Sequence, residues 1–266
     1  MNNLPIHFIL GFIRSGSTLL MSLCRTHPEI ETDVQEPNHI YKLFHQVFFD
    51  WQAYKKILGI SPSEVQNMHA EAVMNFTQTY YQRLCSRTKR TTVVIKQPWI
   101  TFRINEIMAT FPEAKVVLLS RHPYQALAST VDFTMNNWAA ENMFEGKRKM
   151  WKILEVYGEA MSAIIRCKHN PKNRDRILFL KFEDLLENPH EKLKEVFGWY
   201  QVDNSNKIVT EVLEKAQNNK AALLGTCLLQ SKFMHPKDKF KTLLTGDERK
   251  KIETKAAPYI KEFGYE

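Results

Sequence analysis

Cysteine is sparse and unpaired in this chain: Cys24, Cys85, Cys167 and Cys227 stand far apart, with no Cys-x-x-Cys pair. That spacing argues against a disulfide framework or a thiolate zinc site, and it suits a reducing compartment, so a cytoplasmic location is expected. No apolar run approaches the roughly 20 residues needed to cross a bilayer, so stable membrane insertion is not expected. The opening Met1-Asn-Asn-Leu-Pro5 lacks the cationic start and apolar stretch of a secretory signal, which makes the sequon Asn75-Phe-Thr77 a chance match. Runs of basic residues interleaved with aromatics are missing, as are helix-turn-helix, zinc-finger and RNA-binding signatures. A net charge of +8 and a pI of about 9.2 therefore point to an anionic ligand, an acidic substrate or an anionic surface rather than to nucleic acid. Repeats, low-complexity tracts and linkers are also lacking, so residues 1–266 read as one domain.

What is present alternates. Short apolar runs at His7–Leu10, Thr92–Lys96, Lys115–Ser120 and Arg176–Lys181 show no polar alternation, as strands buried on both faces of a parallel sheet require. Helical stretches separate them: Ser17–Arg25, Glu36–Asp50, Ser63–Arg87, Ile100–Thr110, Pro123–Asn137 and Asn142–Lys168. The pattern predicts an α/β fold of three layers, a central parallel sheet flanked by helices, with a helical C-terminal part. There Asn188-Pro189 starts a helix to about Trp199, and Thr245-Gly-Asp-Glu248 caps a final one to about Phe263. Between them Gly225–Thr242 reads as irregular and lysine-rich. In such a fold, ligands sit at the carboxyl ends of the strands.

After the first strand, Gly11-Phe-Ile-Arg-Ser-Gly-Ser-Thr18 has the Gly-x-x-x-x-Gly-x-Ser/Thr spacing of a Walker A phosphate loop. Its lysine is missing. Ser17 stands in that place and the positive charge sits at Arg14. The loop can still cradle an anion on backbone N–H groups at a helix start, but it is poorly equipped for a metal–triphosphate. After the second strand, Lys96 either points into the cleft or snorkels to the surface. After the third, Arg121 emerges at the strand end, with Ser129 two helical turns on. An arginine fork and a hydroxyl suit a terminal phosphate, and a capped helix with a surface arginine is the plain alternative.

These residues together resemble the sulfotransferases that use 3′-phosphoadenosine 5′-phosphosulfate (PAPS) and release adenosine 3′,5′-bisphosphate (PAP). The tyrosylprotein and small bacterial branches are nearest. Besides the loop and the Arg121–Ser129 pair, Thr26-His-Pro28 with Gln35-Glu36-Pro37 resembles the segment carrying the family's catalytic glutamate. Ile95-Lys96-Gln97-Pro98 resembles its Lys-Asp-Pro, Trp151 its helical tryptophan, and Phe182-Glu-Asp-Leu185 with Asn188-Pro189 its Tyr-Glu-Asp-Leu…Pro. Ala257-Pro-Tyr259 through Phe263-Gly-Tyr265 resembles its C-terminal Leu-Gly-Tyr helix. The resemblance implies that Arg14, Ser15, Gly16, Ser17 and Thr18 hold the 5′-phosphosulfate and that Arg121 and Ser129 hold the 3′-phosphate. It implies Glu36 as general base, with His39 in reserve, and Lys96 on the bridging oxygen. It also implies that Ser231 and one of the lysines at 232, 237, 239 and 241 close over the donor. Three departures stand out. Gln97 replaces an aspartate, Phe182 replaces a tyrosine and loses its hydroxyl, and Glu36 requires a one-residue insertion.

The chemistry agrees with those roles. Sulfonate transfer moves charge onto the oxygen joining sulfur to the leaving phosphate, and fixed positive charge from Lys96, Arg14 and loop N–H groups stabilises it. A carboxylate beside the acceptor takes its proton. The expected activity is transfer to a hydroxyl or amine on a small molecule, saccharide or peptidyl tyrosine, without metal. Glu36 has a second reading as a first-turn helix residue, favoured there by the helix dipole. Lys147-Arg148-Lys149 reads as the exposed side of a long helix with Trp151 buried opposite. Phe44, Phe48, Trp51 and Trp138 either line an acceptor pocket or belong to the core. The rivals are an ATP-dependent phosphotransferase, which needs Mg²⁺ ligands, and a nucleotide-binding module without catalysis.

Overall fold

The computed structural model describes residues 3–33, 59, 61–218 and 239–265. Five parallel strands form one sheet: β1 (Ile6–Gly11), β2 (Ile30–Glu31), β3 (Thr92–Lys96), β4 (Val116–Ser120) and β5 (Ile177–Lys181), in the order β2-β3-β1-β4-β5. Phe8 pairs with Ile95 on one side and Val116 on the other, so β1 lies at the centre. Every residue of β1 and β3 is buried, which accounts for their unbroken apolar character.

Side chains alternate between two cores. Phe8 and Leu10 face a layer built from α2 (Pro62–Thr88), α3 (Ile104–Thr110), α4 (Pro123–Asn136), α6 (Met150–Lys168) and α11 (Gly246–Glu262). Ile9 faces α1 (Ser17–Thr26), α7 (Phe182–Glu187), α8 (Pro189–Trp199) and α9 (Asn206–Asn218). Helices therefore cover both faces, as the sequence predicts. The chain leaves β1 into one layer and β3 into the other, which opens a crevice at the carboxyl end of β1. The remaining helices are α5 (Trp138–Met143) and α10 (Lys239–Leu243).

Four predicted strands and the helices after Ser17, Ser63, Pro123, Pro189 and Thr245 are present within a residue or two of their expected bounds. The capping box of α11 is there: Thr245 accepts from the Glu248 N–H, and Glu248 accepts from the Thr245 N–H. Other expectations need correction. Asn142–Lys168 is not one helix, because Glu145 (φ 59°), Gly146 (φ 137°) and Arg148 (φ 55°) turn the chain between α5 and α6. Lys147-Arg148-Lys149 thus lies in a turn rather than along a helix face, and Trp151 is 57% exposed rather than buried. Ile100–Thr110 begins as a 3₁₀ turn at Pro98–Arg103 before α3. The described end of the irregular Gly225–Thr242 stretch is helical, in α10. The sequence also missed β2, whose two residues are too few for a periodic signal, and the helix α9.

Arg148 has a structural task. Its Nε and Nη2 grip both Glu248 oxygens at 3.0 and 2.7 Å, and Nη2 also reaches the Leu243 carbonyl. Burial pushes the Glu248 carboxyl up, but the Arg148 and Thr245 hydrogen bonds and the Arg148 charge outweigh it and hold the group below its usual range. Glu248→Gln is expected to lose about 1–2 kcal/mol of stability, read from urea denaturation, because one charge-assisted fork is halved.

His7, on the Ile9 face, stacks on Tyr200 with ring centroids 5.2 Å apart, and its Nδ1 accepts from the Lys115 N–H. Burial first, then the nearby Lys115 charge, push the imidazole down to about 4. The native state therefore refuses a proton that the unfolded chain takes up below its ordinary value of 6.5. The stability held above that pH is lost as pH falls towards 4, to the order of 3 kcal/mol. In His7→Asn, the slope of unfolding free energy against pH between 7 and 4 should be shallower by about one proton.

Candidate functional site

The turn after β1 is built around three residues in unusual backbone conformations: Gly11 (φ 148°), Arg14 (φ 64°) and Gly16 (φ 98°). A Cβ at Gly11 would lie 2.3 Å from the Leu119 carbonyl oxygen on β4. At Gly16 it would lie 2.1 Å from the Phe182 ring. Both positions therefore demand glycine on space as well as on φ. Thr101, in the 3₁₀ turn after β3, locks the start of the loop. Its Oγ1 accepts from the Gly11 N–H at 3.0 Å and donates to the Gly11 carbonyl at 2.8 Å.

The loop opens onto the N-terminus of α1. Gly16 occupies the cap position, no side chain supplies the cap, and the first turn carries no acid. The first N–H groups of a helix have no partner within it, and together with the helix dipole they attract an anion. Ser15 is 1% exposed, and its Oγ has no hydrogen-bond partner among the described residues. A buried hydroxyl in this state is costly unless a ligand satisfies it.

Cations surround this turn. Lys96 is 5% exposed, and its Nζ donates to Thr18 Oγ1 at 3.1 Å, so it points into the crevice and does not snorkel. Arg14 Nε donates to Ser129 Oγ at 3.1 Å, and its guanidinium lies 5.1 Å from the Phe133 ring centre. Arg121 Nη1 donates to the Arg14 carbonyl at 3.0 Å, with its guanidinium 4.8 Å from the Phe182 ring centre. Arg14, Ser15, Gly16, Ser17, Thr18, Lys96, Arg121 and Ser129 thus form one constellation at the carboxyl ends of β1, β3 and β4. Ser129 reaches it through Arg14.

Four contributors escaped sequence reasoning. Thr101 looked like part of a helix, and its partner Gly11 lies 90 residues away. Phe182, noted only as a lost tyrosine hydroxyl, packs its ring between Gly16 and Arg121. Glu183 and Tyr265 stood inside family-like motifs with no role attached, yet Tyr265 OH lies 2.9 Å from Ser120 Oγ and donates to Glu183 Oε2 at 3.3 Å. Among the histidines, His27 is fully buried and hydrogen-bonds the Asp203 carbonyl, and burial lowers its pKa. Burial also lowers that of His122 against the opposing Glu183 charge. Trp138 is 76% exposed and so is not core. Glu36, His39, Phe44, Phe48, Trp51, Ser231 and the lysines at 232 and 237 lie outside the described residues. Lys239 and Lys241 lie on α10. Among the described residues, no group of three or more His, Cys, Asp or Glu side chains is placed to hold a metal ion, and no helix is long and apolar enough to cross a membrane.

A sequence model described as "Sulfotransferase family" matches residues 5–205. The omega-hydroxy-beta-dihydromenaquinone-9 sulfotransferase Stf3 of Mycobacterium tuberculosis is 23% identical over 151 residues, covering 55% of this chain and 37% of that protein. The chain thus spans well under half the length of that relative. Among solved structures, sulfotransferase STF9 from Mycobacterium avium superposes with a TM-score of 0.63 at 11% identity, over 98% of this chain and 77% of the other. Mouse sulfotransferase SULT7A1, crystallised with PAP, gives a TM-score of 0.58 at 11% identity, over 96% and 84%. At these identities the superpositions establish the fold.

The crowding at Gly11 is testable without any substrate. Gly11→Ala should destabilise the protein by roughly 2 kcal/mol or more in chemical denaturation, because the methyl meets backbone rather than a movable side chain and the φ is strained. Ser15→Ala, which removes only an unpartnered hydroxyl, should be neutral or stabilising.

Proposed function

The chain belongs to the sulfotransferase family, and from that premise we propose that it transfers a sulfonate group from PAPS to a hydroxyl acceptor in the cytoplasm. One observation carries this reading: the loop after β1 offers an uncapped helix start, an unpartnered buried Ser15 hydroxyl and three converging cations, without the Walker lysine. The cradle fits the donor's charge. A monoanionic sulfonate joined to a phosphate suits this loop, and a second phosphate suits Arg121. Cys24, Cys85 and Cys167 are free and buried, in keeping with a reducing compartment.

In this reading Arg14, Ser15, Gly16, Ser17 and Thr18 hold the 5′-phosphosulfate, and Arg121 and Ser129 hold the 3′-phosphate, with Ser231 closing over the nucleotide. PAPS supplies an activated sulfonate. The chain's own residues do the rest. Lys96, fixed by burial and by Thr18, presents its ammonium where negative charge builds on the bridging oxygen. Glu36 takes the acceptor proton as the new S–O bond forms and the old one breaks. A hydroxyl acceptor is favoured because Stf3 is a sulfotransferase of an omega-hydroxy compound. Residues 1–266 act as one domain in this proposal.

Isothermal titration and an acceptor screen by mass gain of one SO₃ test it. PAP should bind without Mg²⁺, and more tightly than ATP–Mg²⁺. Arg14→Ala should weaken PAP by about 10- to 100-fold, the worth of a charge-assisted contact. Lys96→Met should lower kcat by about 10²–10³ with PAP affinity little changed, as removal of one preorganised charge does. Glu36→Gln should cost about 10²–10⁴ in kcat. Tight ATP–Mg²⁺ binding with none for PAP would refute the assignment.

A further inference from the structure

Ser120 ends β4, and Arg121 and His122 lead from it into α4; Ser120 is tied to Tyr265 through its hydroxyl, and His122 to Glu183 through its backbone N–H. Tyr265 O–H donates to Glu183 Oε2 at 3.3 Å, which leaves the Ser120 hydroxyl to donate to the Tyr265 oxygen at 2.9 Å. The other carboxylate oxygen of Glu183 accepts from the His122 N–H at 3.0 Å, at the start of α4. The His122 ring meets Tyr265 edge-on at 5.4 Å. Tyr265 is itself anchored: Lys181 Nζ donates to the Gly264 carbonyl at 2.7 Å and lies 4.9 Å from the Tyr265 ring centre. Arg121, between the two tethered neighbours, stacks on Phe182, which precedes Glu183 in the chain.

We propose that Glu183 and Tyr265 are positioning residues that aim Arg121, and so set the selectivity of the site for a nucleotide bearing a 3′-phosphate. The inference rests on the reading above that Arg121 meets that phosphate. An arginine side chain carries considerable rotamer entropy, and ordering it on binding weakens affinity. Here the Ser120 side chain and the His122 N–H are tied down on either side of Arg121 before any ligand arrives, and its guanidinium rests over the Phe182 ring. Burial and then the Glu183 charge raise the Tyr265 phenol well above its ordinary pKa, so the hydroxyl stays protonated and keeps donating to Glu183. Glu183 thereby joins Tyr265 to the N–H of His122, the residue that caps α4.

The test compares PAP with adenosine 5′-monophosphate, which lacks the 3′-phosphate, by isothermal titration on the full chain. Tyr265→Phe keeps the ring contacts and removes the hydroxyl. It should weaken PAP by about five- to tenfold and the monophosphate by less than twofold. Glu183→Gln should shift the same ratio. In an Arg121→Ala background, Tyr265→Phe should cost PAP affinity nothing more, since its effect passes through Arg121. Equal weakening of both nucleotides, an unchanged ratio, or full additivity with Arg121→Ala would each overturn the clamp. If the unmutated protein holds PAP no tighter than the monophosphate, or Arg121→Ala leaves PAP unchanged, the assignment of Arg121 itself fails and the clamp falls with it.

Discussion

Gly11 ends the central strand where the β4 backbone comes so near that a carbonyl oxygen occupies the space of a side chain, and Thr101 ties the same residue to the turn after β3. That close approach sets the start of the anion loop. From Gly11 the chain has one way to turn, through Arg14 and Gly16 at positive φ, into the open end of α1. Lys96 ends β3 and Arg121 follows β4, the two strands that flank β1 in the sheet. The parallel register therefore delivers three cations to one turn without any of them being near another in sequence.

The electrostatic logic of the site follows from that delivery. Donors aimed in advance at an anion need little reorganisation when charge moves, and burial of Lys96 strengthens its field over what water would allow. Hydroxyls at Thr18 and Ser129 hold the ammonium and one guanidinium in place. A loop lysine with a metal partner would serve a more highly charged phosphate. An arginine on the turn and a lysine from the neighbouring strand suit the less charged group of the proposed donor.

Much of the fold and site was legible because the signals were local. The strands at β1, β3, β4 and β5 are short apolar runs, and the loop has fixed spacing. Arg121 and Lys96 could be placed because strand ends are where such folds bind ligands. What escaped depends on contacts across long sequence separations. The break before Met150 reflects a turn stabilised by Arg148 and Glu248, 100 residues apart. Trp151, read as the buried side of one long helix, lies on the exposed side of α6. The partnership of Tyr265 with Ser120 spans 145 residues, which no window of sequence could show.

The Phe182 ring wedged between Gly16 and Arg121 has a mechanical meaning. A flat aromatic ring cannot be compressed, and 3% exposure leaves it nowhere to swing. The gap between the glycine turn and the second guanidinium is consequently a fixed gauge. In the proposed site, that gauge is what would sort molecules by the distance between their two charged ends, because the jaws do not travel.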